Sequence, residues 1–328
     1  MPTRRSFLFA ALTVALVGCA PSPVVNAPRA RGSLKPATDA LRTAALDEQA
    51  LATLTGTIAQ QGESWRLSTA TTAWCSGATT AHREHLTALV RADPLGGVNA
   101  DDSPVIDLPA TTAVPPQDAA GALAQLAAGY ATAADHCRST LMAAPTGPGS
   151  LLWASLYCFS TAGAATLAAH PDGTSPGTPP VAGQAVPTGI SVGSRDDRLA
   201  ALLSRIDALR YGLETMIGRS GGARTDMKQR RTAVDNVRNQ VAAQITAGSA
   251  TPAGPAIDYE LPGDVTNPTS WDAIWGELEA AVLSAWVSLA AASDADSDGR
   301  RSAMAGIDAQ CLVPGQHGVG LAWWPGWV

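Results

Sequence analysis

Glu48, His82 and His85 are the residues of this chain whose types and spacing could do chemistry. Glu48 falls on an apolar helical stripe, Leu41, Ala44, Glu48, Leu51, Thr55 and Ile58, where a carboxylate is unfavourable unless something pairs with it. His82 and His85 are three residues apart, so one helix face carries both and can turn them toward such a carboxylate. Two imidazoles and a carboxylate form a ligand set for a single metal ion. The same trio also makes a buried Glu–His brace between two helices, which needs no ion when every partner is hydrogen-bonded. The pattern alone does not choose between them. It does exclude a paired-metal centre between four helices, which takes one Glu from each of two helices and a Glu-x-x-His from each of the others. No Glu-x-x-His occurs, and the fourth helical segment, "SLLWASLYCFSTAGAATLAA", has neither a carboxylate nor a histidine. The third segment could add Asp135 or His136.

Two other stretches invite a functional reading. "DADSDG", Asp294 to Gly299, opens like a calcium loop, with oxygens at its first, third and fifth positions and a glycine at its sixth. Ala305 stands where such a loop needs its bidentate Glu, so a connector between helices seven and eight is the better reading. The end, "GVGLAWWPGWV", holds Trp323, Trp324 and Trp327. Such indoles either pack back across a helical groove or anchor the chain to a partner or a membrane interface. No cysteine sits in activating surroundings, and "GRSGGAR" (Gly218 to Arg224) lacks the Gly-Lys-Ser/Thr ending of a phosphate loop.

Helices must position these groups. Leu123, Leu126, Tyr130, Ala133, Cys137 and Leu141 recur at the three- and four-residue spacing that a helix buries in a bundle. Leu199, Leu202, Ile206, Leu209, Leu213 and Met216 repeat it, and no stretch alternates like a strand. The spacing predicts helices over about 37–61, 65–92, 117–143 and 149–169, and again beyond a Pro/Gly-rich break at 171–194. "PVIDLPATTAVPP" (from Pro104) and "PAIDYELPGDVTNP" (from Pro255) echo each other. Each is part of a crossover of about 20 residues ending in a proline, Pro116 or Pro268, that opens a helix. Two helices, one long crossover and two more helices make ferritin-like topology. The expected architecture is all-α: two tandem ferritin-like four-helix bundles, 37–170 and 195–313, joined by the Pro/Gly-rich linker 171–194. Two separate cores and a Trp-rich tail at 314–328 complete it.

Residues 1–18 read as a signal peptide: Arg4 and Arg5 precede the apolar run "SFLFAALTVALV", too short to span a bilayer as a helix of about 20 residues. "TRRSFLF" resembles the twin-arginine export signal, and Leu16-Val17-Gly18-Cys19 resembles the lipobox of bacterial lipoproteins. That resemblance implies acylation of Cys19 and lipid anchoring at the extracytoplasmic face of the cell membrane. Residues 19–36 are Pro-rich and read as a disordered tether. Net charge is −6 for the chain and −8 without residues 1–18, which hold two arginines and no acid. That argues against nucleic acid as a partner. In an exported protein, Cys75, Cys137, Cys158 and Cys311 read as two disulfides with three connectivities. Cys137 and Cys158 fall at one height of an antiparallel hairpin, which suggests that bridge and leaves Cys75–Cys311.

The stretches "RIDALRYGLETMIG", "RRTAVDNV" and "YELPGDVTNPTSWDAIWGELEAAVLSAW" carry a resemblance. Over about 195–313 the chain resembles the actinobacterial ferritin-like family called domain of unknown function 4439. Asp207, Tyr211, Asp235, Tyr259, Leu261, Pro262, Leu278, Glu279, Ala285 and Trp286 fit its pattern, and Arg230 replaces its second-helix histidine. The resemblance implies a fold and no activity. The expected function is a non-catalytic binding or scaffold module of the cell envelope, held to the bilayer by acylated Cys19, with an envelope protein as partner. The alternative is a metal-binding ferritin-like protein whose degenerate site is Glu48, His82 and His85.

Overall fold

A computed structural model describes residues 38–110, 116–171, 176–183 and 186–327. Arg4, Arg5 and Cys19 lie outside them. The sequence stripes become buried helix faces. Helix α1 (Thr38–Gln61) buries Leu41, Ala44, Glu48, Leu51, Thr55 and Ile58. Helix α2 (Thr69–Val90) starts at Ser68, whose hydroxyl accepts the Thr71 N–H, and buries both His82 and His85. Asp118 caps α3 (Ala119–Ala143) by accepting the Gly121 N–H at 2.7 Å, and Leu123, Leu126, Tyr130, Ala133, Cys137 and Leu141 are all buried on it. Helix α4 (Pro148–Ala169) begins with proline in its first turn and is buried nearly all round.

The second half repeats the plan with α5 (Arg195–Arg219), α6 (Thr225–Ala247), α7 (Trp271–Ala292) and α8 (Asp298–Gln310), then a single turn, α9 (Val313–Gln316). A capping box between Ser194 and Asp197 opens α5. Side-chain pairs give the helix directions. Thr55–Thr79 and Glu48–His82 make α1 and α2 antiparallel, and Asp47–His136 with Leu51 against Gly129 makes α1 and α3 antiparallel. Asp207–Arg238 and Arg195–Gln244 do the same for α5 and α6, as Glu279–Gln310 with Trp286 against Gly306 does for α7 and α8. The protein is thus all-α, two helix bundles joined by a linker, each with the single long crossover between its second and third helices. Among the described residues there is no strand, only three isolated bridges.

The two bundles do not keep separate cores. One hydrophobic cluster runs from Leu41 and Leu89 through Leu151 and Leu156 on α4 to Val287 and Ala291 on α7, with a satellite around Leu126, Tyr130 and Trp74 in the first bundle. The reason lies in composition. Helix α4 has no charged residue and α7 none after Glu279, so each has more apolar surface than its own bundle covers, and each finds the other. Both are long and apolar enough to cross a membrane, yet 78% and 67% of their most apolar windows are already covered by protein, as core helices require.

Polar clasps reinforce this joint. Arg300, fully buried, donates to the carbonyls of Leu141 and Ala144 at the end of α3 and of Ser293 at the end of α7. It thereby satisfies carbonyls that helix ends leave without partners. Asp294 to Gly299 is the connector that delivers it: Asp296 adopts a left-handed φ of 50° and donates its N–H to Met142 O at 2.9 Å. The linker is also less free than its composition suggests. Gly97 and Gly189 donate to Pro187 O and Leu95 O at 3.0 Å, and Pro179 and Pro180 lie where a Cβ on Gly77 would be.

The disulfide expectation is overturned. Cys75, Cys137, Cys158 and Cys311 are all buried free thiols. Equal height on a hairpin did not mean facing directions. Burial raises both thiols, and different neighbours raise them further: Glu48 and Asp47 of α1 for Cys137, Cys311 and Asp308 of the second bundle for Cys158. Burial likewise pushes the Cys75 thiol up to about 12 and Cys311 to about 11, which leaves all four unreactive at neutral pH.

Candidate metal centre in the first bundle

Glu48, His82 and His85 do meet. Their relative exposures are 3%, 0% and 0%, and one ligand atom from each can be chosen so that all lie within 4.8 Å of one another. His82 Nδ1 is 2.6 Å and His85 Nδ1 3.1 Å from the same oxygen, Glu48 Oε2. Each ring is held from behind. His82 Nε2 is 2.8 Å from Tyr130 Oη, and His85 Nε2 is 2.7 Å from the Trp323 carbonyl. Phe159 closes the floor, 5.5 Å from the His82 ring and 4.8 Å from the His85 ring, and also lines a cavity of about 390 Å³ between the bundles. Trp324 covers the His85 ring at 4.4 Å.

Hydrogen-bond logic narrows where the hydrogens lie. A carbonyl only accepts, so His85 Nε2 carries a hydrogen that it donates to Trp323 O. In a neutral His85 the other nitrogen would then aim a lone pair at Glu48 Oε2, acceptor against acceptor at 3.1 Å. A hydrogen or a metal ion must therefore lie between the two atoms. His82 is freer, because Tyr130 Oη can donate to it or accept from it. Burial alone would raise the Glu48 pKa. The neighbouring His85 and His82 charges and hydrogen bonds outweigh burial and hold it down to about 2. Glu48 is therefore held as a carboxylate although it is buried.

The fourth helix contributes shape in place of ligands. A Cβ on Gly163 would lie 2.5 Å from the Tyr130 ring, so only glycine lets that ring approach and reach His82. Asp135 and His136 do not join the cluster. Asp135 is exposed, and His136 pairs with Asp47 at 2.7 Å on the outer face. Sequence reasoning missed Tyr130 and Phe159 as neighbours; Tyr130 stood in the α3 stripe, where a phenol needs a polar partner once buried. The tryptophan tail packs instead of projecting. Trp324 and Trp327 are 3% and 4% exposed and Trp323 is half-buried, so none of the three is a free anchor. "GISVG" (Gly189 to Gly193) matches the Gly-x-Ser-x-Gly spacing of a serine nucleophile. No strand precedes it among the described residues, as such an elbow needs, and Ser191 Oγ accepts the Gly193 N–H. A second match, Gly173 to Gly177, falls partly outside the described residues.

The second bundle holds a different polar centre. Glu279 on α7, fully buried, takes two hydrogen bonds from Arg230 on α6 at 2.8 and 2.7 Å, one from Trp275 Nε1 at 2.7 Å and one from Gln310 at 2.6 Å. Asp207 on α5 is paired with Arg238 on α6 at 2.5 Å.

Fold and sites together define a tandem helical-bundle protein with a buried imidazole–carboxylate centre in the first bundle and guanidinium–carboxylate pairs in the second. Residues 199–314, which span the second bundle, match the family described as Domain of unknown function (DUF4439), so that domain is present here. No curated protein and no solved structure matches the chain.

Proposed function

We propose that the first bundle binds one divalent first-row transition-metal ion, zinc or iron(II), through Glu48 Oε2, His82 Nδ1 and His85 Nδ1. The observation that carries this reading is the 3.1 Å approach of His85 Nδ1 to Glu48 Oε2 while the opposite ring nitrogen donates to a carbonyl. That contact requires a hydrogen between the two atoms when no metal is bound, and a metal can take the place of that proton. Both imidazoles already have the outer partners that metal-bound histidines have, fixing ring orientation. Tetrahedral bonds of about 2.0–2.2 Å set ligand atoms roughly 3.3–3.6 Å apart, so His82 Nδ1, now at 2.6 Å, would have to draw back from Glu48 Oε2 more than His85 Nδ1 does. Enclosure by Tyr130, Phe159 and Trp324 supports a holding role over a catalytic one, since metal sites that do chemistry keep an open position. Without metal, the same hydrogen bonds brace α1 against α2.

The proposal places this bundle at the extracytoplasmic face of a membrane, hung from acylated Cys19. Support for the anchor is the lipobox-like sequence alone, and Cys19→Ala should move the protein from the membrane fraction to the soluble one. The metal reading is tested by titrating chelator-stripped protein with Zn(II) and with Fe(II) under anaerobic conditions. One equivalent should bind, with release of protons, and the Glu48→Gln, His82→Phe double variant should bind none. Clearly substoichiometric uptake of both metals by the wild-type chain would overturn it.

A further inference from the structure

We infer that the C-terminal segment Leu321–Trp327 is a strap that completes the outer shell of the Glu48–His82–His85 centre, so that a metal bound in the first bundle tightens the docking of the tail. This deepens the proposed metal reading and rests on it. His85 and Trp323 are 238 residues apart in the chain, yet the Trp323 carbonyl is the acceptor for His85 Nε2 at 2.7 Å. The strap is held on both sides of that bond. Upstream, Val181 N donates to Leu321 O and Trp323 N donates to Val181 O, both at 3.0 Å. Downstream, Trp324 lies on His85 and meets Trp327 edge-on at 6.2 Å. Gly326 then threads the crevice between α4 and α7 with φ 94°, where a Cβ would come within 2.7 Å of Val287 and 3.0 Å of Leu151.

A metal held by His85 Nδ1 and Glu48 Oε2 would fix the ring in the orientation that aims Nε2–H at Trp323 O, so bound metal and docked tail favour the same ring position. Linkage then makes the effect mutual: the factor by which metal favours the docked tail is the factor by which the docked tail favours metal. Outer-shell partners of this kind carry about 10- to 100-fold in metal affinity. Trp323 is accordingly a positioning residue, acting on the metal through His85.

Two variants of the full chain test this. One ends at Gly320; the other is Gly326→Val, which keeps every ring but closes the crevice to the backbone. Zn(II) affinity is read by competition with a chromophoric chelator, and tail docking by hydrogen exchange of the Trp323 and Trp327 amides with and without Zn(II). The expected result is an affinity loss of about 10- to 100-fold in both variants and slower tail exchange on metal addition in the wild type. Wild-type affinity in either variant, or tail exchange indifferent to metal, would overturn the strap. If the wild-type chain binds no metal at all, it is the metal reading that has failed. The strap is then judged in metal-free protein by His85→Phe, which keeps a ring against Trp324 and removes the donor. Faster tail exchange in that variant supports the strap, and unchanged exchange overturns it.

Discussion

The two bundles share a helix plan and bury carboxylates in the same kind of place, yet they neutralise them differently. In the second bundle α6 supplies Arg230 to Glu279 and Arg238 to Asp207, so each acid meets a cation attached to the chain. In the first, α2 supplies His82 and His85 to Glu48, and an imidazole is a cation only when it has acquired a proton. A guanidinium stays charged under all ordinary conditions and cannot ligate a metal, whereas an imidazole does either job. The second centre is closed by its own covalent structure. The first leaves its positive charge to be supplied from outside, and that difference makes it the candidate for binding.

The comparison predicts its largest effect in the closed centre. Arg230→Met removes the bidentate partner of a carboxylate with no exposure to water, which should cost about 3–5 kcal/mol in urea-induced unfolding. The double variant Arg230→Met, Glu279→Met should recover most of that loss, since two apolar side chains replace the pair without leaving an orphan charge. If Arg230→Met alone is nearly neutral, Glu279 has another way to be neutralised and the contrast between the centres is lost.

A middle-sized effect comes from a device both bundles use. Gly163 on α4 receives the Tyr130 ring and Gly306 on α8 receives the Trp286 ring, each with hypothetical Cβ contacts below 2.7 Å or close to it. Alanine at either position overpacks a helix–helix contact and should destabilise by about 1–3 kcal/mol by thermal unfolding. Only Gly163→Ala should also disturb the metal centre, because Tyr130 holds His82. Reduced Zn(II) affinity in both variants would show the two centres to be coupled in a way the comparison does not allow.

Much of this was legible in the sequence, for physical reasons that also mark where reading stopped. Three- and four-residue spacing showed the buried faces of α1, α3 and α5 down to single residues, because one stripe per helix must meet one core. Helix α4 and the part of α7 beyond Glu279 have no charged face, and that excess of apolar surface was a statement about a second partner. Reading the halves as independent therefore missed their joint. The Glu48–His82–His85 meeting was legible because an acid on an apolar stripe demands partners. Trp323 was not, since a backbone carbonyl bonds without regard to side-chain type. The cysteines misled because height along a hairpin is a one-dimensional coordinate, and bridging also depends on the direction in which each Cβ points.

The smallest effect sharpens the contrast between inner and outer pairs. Asp47 and Glu48 are adjacent in sequence, and each meets a histidine: Asp47 joins His136 at 2.7 Å while Glu48 joins His82 at 2.6 Å. Helix geometry sends the two acids to different faces, so His136 is 45% exposed in its side chain and His82 fully buried. Burial raises the Asp47 pKa, while the His136 hydrogen bond and charge pull it back only in part. An ion pair this exposed contributes about 0–1 kcal/mol and is screened by salt. Asp47→Asn should therefore shift the unfolding midpoint marginally, with the shift shrinking at high ionic strength, and should leave Zn(II) stoichiometry at the wild-type value. Loss of metal on this substitution would mean that the outer acid, one residue from the ligand, belongs to the centre, and the boundary drawn around Glu48, His82 and His85 would have to move outward.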